Sequence, residues 1–381
     1  MELALYVVNA VLLEGRSVRE VARATGVSKS RAARWVALYR AGGPDALAGR
    51  KRGPSRAPNQ MPLEVEDLVV ALRKELSDLG VDAGARTIRY HLAEREGLAW
   101  SVSAIHRALV RRGFVVPEPH KRPRLEWTRF ESARPNECWQ VDMTHWALVD
   151  ATPVEIVTVI DDYSRGVLAC EAVTVATSKS VLALFRRCVE RWGLPASMLS
   201  DNGLIFTAAY RHSHTLLEAE LRALRVEFKH GQPYHPQTQG KVERVQRTLK
   251  KWLARRPRAE TLAELQRQLD AFVSYYNEVR PHQRHGVPPL RAWRSLERAT
   301  PTIDGVALAP HTRVRRDRVS TNGTVTLRYG GTLYHLSIGR RYAGRRVVAL
   351  VADLDVRVLD EDGRLLRRLT LDPSRKFQPR G

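Results

Sequence analysis

Cysteine is scarce in this sequence of 381 residues: three occur, Cys138, Cys170 and Cys188, and no two form a CxxC pair. That count and spacing exclude a disulfide framework or a zinc knuckle and suit a reducing cytoplasm. Long apolar runs are missing too. No stretch approaches the roughly 18 to 20 residues needed to span a bilayer, so no membrane partner is expected. The short run Leu3 to Leu13 follows Glu2, where a leader would carry basic residues, and Asn9 interrupts it. It reads as the first helix of a domain. Acidic charge is in deficit, with 63 Lys and Arg against 41 Asp and Glu and a formal charge of +22. Such a chain repels itself unless a polyanion is bound, which makes nucleic acid the leading partner. Basicity alone also fits ribosome-bound and membrane-surface proteins, so the motifs have to discriminate.

Residues 17 to 40, SVREVARATGVSKSRAARWVALYR, show helical periodicity in two blocks around Thr25-Gly26-Val27. Ser17 with Glu20 makes a capping box, Gly26 permits the turn, and Ser28 caps a second helix whose Ala33, Val36 and Ala37 face inward. This is a helix-turn-helix pattern within a domain spanning 1–48. Lys29, Ser30, Arg31 and Arg34 fall on the exposed start of its second helix, where such motifs read the major groove. The alternative is a solvated basic face on an ordinary helical hairpin. A basic Gly/Pro linker follows at 49–61, in which Lys51 and Arg52 are placed to track phosphate. A second, helix-turn-helix or winged-helix-like domain is expected over 62–116, with helices at 63–77, 85–96 and 102–112. Ser101 caps the last of these, Ile105 and Leu109 face inward, and Ser103 and Arg107 face DNA beside an exposed His106.

A Pro/Arg-rich linker at 117–134 separates this part from a region of changed period. Strands are expected at 138–147, 153–162 and 166–175, a helix at 178–192, and a short apolar strand ending at Asp201. Alternating strands and helices imply a mixed α/β core over 135–297. Beyond it, β-prone runs between 310 and 375 with turns at Gly330-Gly331 and Asp362-Gly363 suggest a small barrel of about five strands.

Three acids stand in distinctive settings: Asp142 in WQVDMTHW, Asp201 in LSDNG and Glu243 in HPQTQGKVER. Asp142 alternates away from the apolar Trp139, Val141 and Met143. Asp201 closes a strand, where open α/β sheets gather their sites. Glu243 opens a helix beginning at Gln239 or Gly240, with a buried stripe of Val242, Val245, Leu249 and Trp252. At 100° per residue, Glu243, Arg247 and Lys250 share an arc of about 60° on the opposite side. Converging carboxylates suit Mg²⁺, and two such ions about 3.5 to 4 Å apart can activate an attacking oxygen and stabilise a leaving one. Taken singly, each acid could instead be a simple cap. Asp161 and Asp162 in VIDDYSR compete for the metal on composition alone.

WQVDMTHW, LSDNG, PYHPQTQGKVER and YYNEVRPH together resemble the integrase-core transposases of bacterial insertion sequences, relatives of retroviral integrases with a ribonuclease-H-like fold. The resemblance covers about residues 134 to 295. It implies a D-D-E triad at Asp142, Asp201 and Glu243 holding two Mg²⁺ (or Mn²⁺) ions, and it assigns IDDYSR a structural role. It also accommodates helix-turn-helix modules ahead of the core and a β-rich tail. The 41 residues between Asp201 and Glu243 exceed the usual spacing in such transposases, so an added helical excursion is expected over 207–225. The position of Gln239 is often Asn in relatives. Tyr234, His235 and Lys241 are expected to position DNA near the cut.

The implied function is a DNA transposase that binds terminal inverted repeats, cleaves double-stranded DNA and joins it to target DNA as a homo-oligomer in a bacterial cytoplasm. The competing readings are a DNA-binding regulator derived from a transposase, without catalysis, a ribonuclease-H-like nuclease, and a structural chromatin protein.

Overall fold

The computed structural model describes residues 2–48, 60–115, 131–201, 203, 205–207, 214–230 and 240–380. Lys51, Arg52, Asn202, Tyr234, His235, Gln239 and most of both expected linkers lie outside the described residues. The chain forms two compact units, Met1–Met61 and Pro62–Gly381.

The first unit holds α1 (Glu2–Leu12), α2 (Val18–Thr25) and α3 (Lys29–Gly42). Val7, Ala10, Val21, Ala22 and Ala32 form its centre. Ser17 Oγ accepts the Glu20 N–H at 3.2 Å and Ser28 Oγ accepts that of Arg31 at 3.3 Å, so each helix starts on a serine. Only half of the expected capping box forms, because the Glu20 carboxylate turns to Arg16. On α3 Val36 is buried as expected, but Ala33 and Ala37 are exposed and Ala32 is buried in their place, beside Trp35 and Tyr39. Two bulky rings decide the phase of a stripe that small alanines leave open.

In the second unit, α4 (Leu63–Asp78), α5 (Ala85–Glu96) and α6 (Val102–Arg111) pack as a helical module. Buried Glu66 on α4 accepts from both Arg111 and Arg112 at the end of α6. Ser101 Oγ caps α6 through the Ala104 N–H at 3.1 Å.

The central sheet has β1 (Cys138–Ala147), β2 (Pro153–Asp161) and β3 (Val167–Val173), then α7 (Ser178–Trp192), β4 (Ser197–Ser200), α8 (Leu216–Ala223) and β5 (Glu227–His230). Its order is β3-β2-β1-β4-β5, with β1 to β3 antiparallel and β4 and β5 parallel to β1. That is the mixed sheet of the ribonuclease-H-like expectation. Period-two alternation splits the core between the faces. Trp139, Val141, Val157 and Val159 join α7 and α8 on one side. Ile156, Ile160 and Cys170 join α9 (Gly240–Leu253) and α10 (Leu262–Ser274) on the other. Of the excursion expected over 207–225, the described part contains α8; residues 208–213 lie outside the described residues.

After the short α11 (Pro289–Trp293) come the hairpin β6 (Thr302–Ile303) and β7 (Val306–Ala307), then β8 (Arg313–Arg318), β9 (Thr324–Tyr329), β10 (Thr332–Ser337), β11 (Arg346–Ala352), β12 (Asp355–Asp360), β13 (Leu365–Thr370) and β14 (Phe377–Gln378). Among the described residues β8 to β14 pair as two sheets, β13-β12-β11-β8 and β14-β10-β9, in place of one closed five-stranded ladder. Val325, Leu327 and Leu336 of one sheet meet Val347, Val356 and Val358 of the other, so face-to-face packing buries both apolar faces without closure. The tail also shares the core of the central domain through Ile303, Val348, Leu350 and Leu359. At the β12–β13 turn, Gly363 has φ +74°, and a Cβ there would lie 2.3 Å from the Arg222 carbonyl at the end of α8. Only glycine permits that approach. Among the described residues, no helix is long and apolar enough to cross a membrane.

Asn277, in the π-helical turn Tyr275–Val279, ties the end of this helical layer to the sheet. Its Oδ1 accepts the Val167 N–H at 2.9 Å and its Nδ2 donates to the Val167 carbonyl at 2.7 Å, both buried. Asn277→Ala strands two backbone groups of β3, and urea denaturation should show a loss of about 2 to 4 kcal/mol; a loss under about 0.5 kcal/mol would contradict this tie.

Candidate active site

The parallel register sets Val141 of β1 opposite Ser200 of β4, and one step further brings Asp142 beside Asp201. Asp201 follows β4 directly and accepts the Gly203 N–H on Oδ1 at 2.9 Å. A Cβ on Gly203 would stand 2.9 Å from that same oxygen, so the glycine of LSDNG leaves room for the carboxylate. Glu243 lies in the first turn of α9, exposed, while Val242, Val245, Leu249 and Trp252 are buried as the sequence pattern requires. One turn on, Gln246 donates Nε2 to Asp142 Oδ2 at 3.0 Å, locking this helix to β1 at the acid. Gln246 was not anticipated; its place at i+3 from Glu243, on the sheetward edge of the exposed arc, is the signal that could have found it.

Burial pushes the Asp142 carboxyl up to about 6, and the charges of Asp201 and Glu243 add to the rise, against hydrogen bonds from the Met143 N–H and Gln246. The three acids therefore share one electrostatic neighbourhood. They are not drawn into a finished cage: among the described residues, no three His, Cys, Asp or Glu side chains are grouped closely enough to hold a metal. Asp142 and Asp201 rest on N–H donors, as like charges do when they can. An all-oxygen donor set with mutual repulsion fits a hard divalent cation, which would relieve that repulsion.

Beside Glu243 runs a groove of about 510 Å³ lined by Trp146, Gln246, Arg247, Lys250, Lys251 and Ala254. Arg247 and Lys250 are exposed there, as expected. Lys241 instead turns inward to Asp162 and is mostly covered. Asp161 is buried and accepts from the Asn136 N–H at 2.8 Å and the Ser164 N–H at 2.8 Å, which is the structural role expected for it. Lys29, Ser30, Arg31 and Arg34 are exposed on α3, and Ser103, His106 and Arg107 on α6. Arg31 lies over the Trp35 ring at 5.0 Å. Arg280 and His282 of YYNEVRPH also escaped notice as individual residues. Arg280 is buried and paired with Asp82 of the helical module, and burial with nearby Arg280 and Arg165 pushes His282 down to about 3.

Residues 132–236 and 224–289 match two models described as an integrase core domain, residues 5–55 match a helix-turn-helix domain and residues 31–109 a homeodomain-like domain. The protein thus carries a ribonuclease-H-like integrase core behind helix-turn-helix DNA-binding domains. Its matched relatives are retroviral. It is 33% identical over 128 residues to the Gag-Pol polyprotein of avian reticuloendotheliosis virus, covering 34% of this chain and 11% of that one. It is 34% identical over 125 residues to the Gag-Pro-Pol polyprotein of squirrel monkey retrovirus, covering 33% and 6%. The chain thus spans about a tenth or less of those relatives' length. Among solved structures it resembles the HTLV-2 integrase catalytic core domain in complex with magnesium, with 18% identity, TM-score 0.34 and coverage of 42% of this chain and 99% of that one. It also resembles a simian T-cell lymphotropic virus intasome in complex with the PP2A regulatory subunit B56 gamma, with 16% identity, TM-score 0.38 and coverage of 74% and 99%. The fold assignment rests on the strand order and the domain matches.

The burial of Asp142, with the lesser effect of its neighbouring charges, has a measurable consequence. Its carboxyl should titrate at about 6 in the cation-free protein, followed by carboxyl NMR, and the midpoint should fall in Glu243→Gln, which removes one of the charges raising it. A midpoint near an ordinary aspartate's 3.9 in both proteins would refute the shared neighbourhood.

Proposed function

We propose that this protein is a DNA transposase of the insertion-sequence kind, which binds the terminal inverted repeats of a mobile element, cleaves at its ends and joins them to target DNA. The observation that carries the reading is the Gln246–Asp142 hydrogen bond, which seats the helix of Glu243 against the strand of Asp142 beside a cation-lined groove within an integrase core domain. Asp142, Asp201 and Glu243 are the catalytic residues of this proposal and would hold two Mg²⁺ (or Mn²⁺) ions. When bound, the ions would supply activation of the attacking oxygen and stabilisation of the leaving one. The magnesium in the HTLV-2 integrase core is in keeping with that choice.

The chain's own residues do the rest. Gln246 orients the Asp142 carboxylate, Gly203 leaves the Asp201 carboxylate room, and Arg247 and Lys250, one and two turns on from Glu243, grip phosphate. Lys29, Ser30, Arg31, Arg34, Ser103 and Arg107 present DNA-reading faces, and Lys51, Arg52, Tyr234 and His235 remain proposed contacts. No covalent protein intermediate is needed, since water and then a freed 3′-OH serve as successive nucleophiles. Joining two element ends calls for a homo-oligomer, and the setting is a bacterial cytoplasm, on the nucleoid. A DNA-binding regulator without catalysis is the second reading, favoured by the absence of a preformed metal cage among the described residues.

A supercoiled plasmid carrying the gene and its flanking DNA, incubated with the protein and Mg²⁺, separates the two. Wild type should cut at discrete borders and Glu243→Gln should not, with a loss of at least about a hundredfold. DNA affinity should be retained in the variant and fall steeply with salt in both proteins. Equal cutting by the two proteins would sink the catalytic assignment, and binding without cuts by wild type would favour the regulator.

A further inference from the structure

Asp162 is fully buried just past β2 and collects four donors from separate parts of the core. Its Oδ1 accepts Gln140 Nε2 at 2.6 Å, Lys241 Nζ, and Arg165 Nη1 at 3.4 Å. Its Oδ2 accepts the Ser132 N–H at 2.9 Å, and its own N–H donates to the Cys138 carbonyl at 2.9 Å. Two of these donors stand in matched places. Gln140 precedes Asp142 by two residues on the same face of β1, and Lys241 precedes Glu243 by two residues in the first turn of α9. One carboxylate therefore holds both the strand and the helix that carry the site's acids.

We propose that Asp162 is a positioning residue that fixes the spacing of Asp142 and Glu243 by clamping Gln140 and Lys241 together. The inference rests on the catalytic reading above. The first turn of a helix has no backbone partners for its N–H groups and frays most easily, so Glu243 depends on side-chain tethers. Gln246 supplies one tether from the second turn, and the Lys241–Asp162 pair supplies one from the first. A carboxylate at 162 suits the substantially covered Lys241 and Arg165, since a neutral acceptor would weaken the pairing of both. Glu131, at the rim, pairs with Arg165 and Arg284.

The test uses the full chain with Lys241→Met, Lys241→Arg and Asp162→Asn. Its control is Glu220→Gln, which alters another buried carboxylate, one paired with Arg186 and Arg316 between α7, α8 and the tail. Amide hydrogen exchange over residues 240–246 should accelerate at least about tenfold in Lys241→Met and Asp162→Asn and stay unchanged in Glu220→Gln. Mn²⁺ binding followed by electron paramagnetic resonance should weaken about tenfold in the same two variants, with DNA affinity within about twofold of wild type, and Lys241→Arg should restore both. If Asp162→Asn does not fold, Lys241→Met carries the test. Unchanged exchange with weakened DNA binding would make Lys241 a DNA contact and overturn the proposal. Equal acceleration in Glu220→Gln would overturn it as a general loss of stability. Failure of the catalytic reading shows separately, as cutting that survives Glu243→Gln.

Discussion

The central domain depends on the hydrogen bond from Gln246 to Asp142, which ties the helix that bears Glu243 to the middle strand of the sheet. The parallel pairing of β1 with β4 ends at Val141 and Ser200, the residues just before Asp142 and Asp201. The Gln246 amide then draws α9 onto Asp142, and the apolar stripe of that helix seats it on the sheet with Glu243 left outside. Burial raises the Asp142 carboxyl, and the charges of Asp201 and Glu243 add to the rise.

The same helix links the site to the rest of the second unit. An α-helix of this length runs about 20 Å, so Glu243 at its start and Arg255 just past its end address different neighbours. Arg255 packs against Gly80, Arg256 donates to the Leu79 carbonyl at 3.5 Å, and Arg280 pairs with Asp82. These contacts seat the module of α4 to α6 on the helical layer behind the sheet. On the opposite face, Glu220 with Arg186 and Arg316 joins the β-rich tail to α7 and α8. Both appendages are thus packed against the integrase core domain.

Local chemistry was readable in the sequence wherever a single element decided it. The periodicity and caps located α5, α6 and α7 to within a residue, and the alternation of WQVDMTHW put Asp142 on the less apolar side of its strand. What escaped was long-range. Gln246 meets Asp142 across 104 positions and Lys241 meets Asp162 across 79, pairings that no local period encodes. Lys241 is expected from the sequence to position DNA, and its buried partner Asp162 is not visible there. The two-sheet tail was hidden for a related reason: short alternating strands specify that a face is buried, while the choice of partner strand comes from the whole domain.

The most direct test of the account is crystallographic. Crystals of the protein soaked in Mn²⁺ should show anomalous density between Asp142, Asp201 and Glu243, with carboxylate oxygens moved off their present N–H partners to coordinate it at about 2.0 to 2.2 Å. Density absent there at saturating Mn²⁺, or found only elsewhere on the chain, would contradict the central claim that these three acids form one metal site.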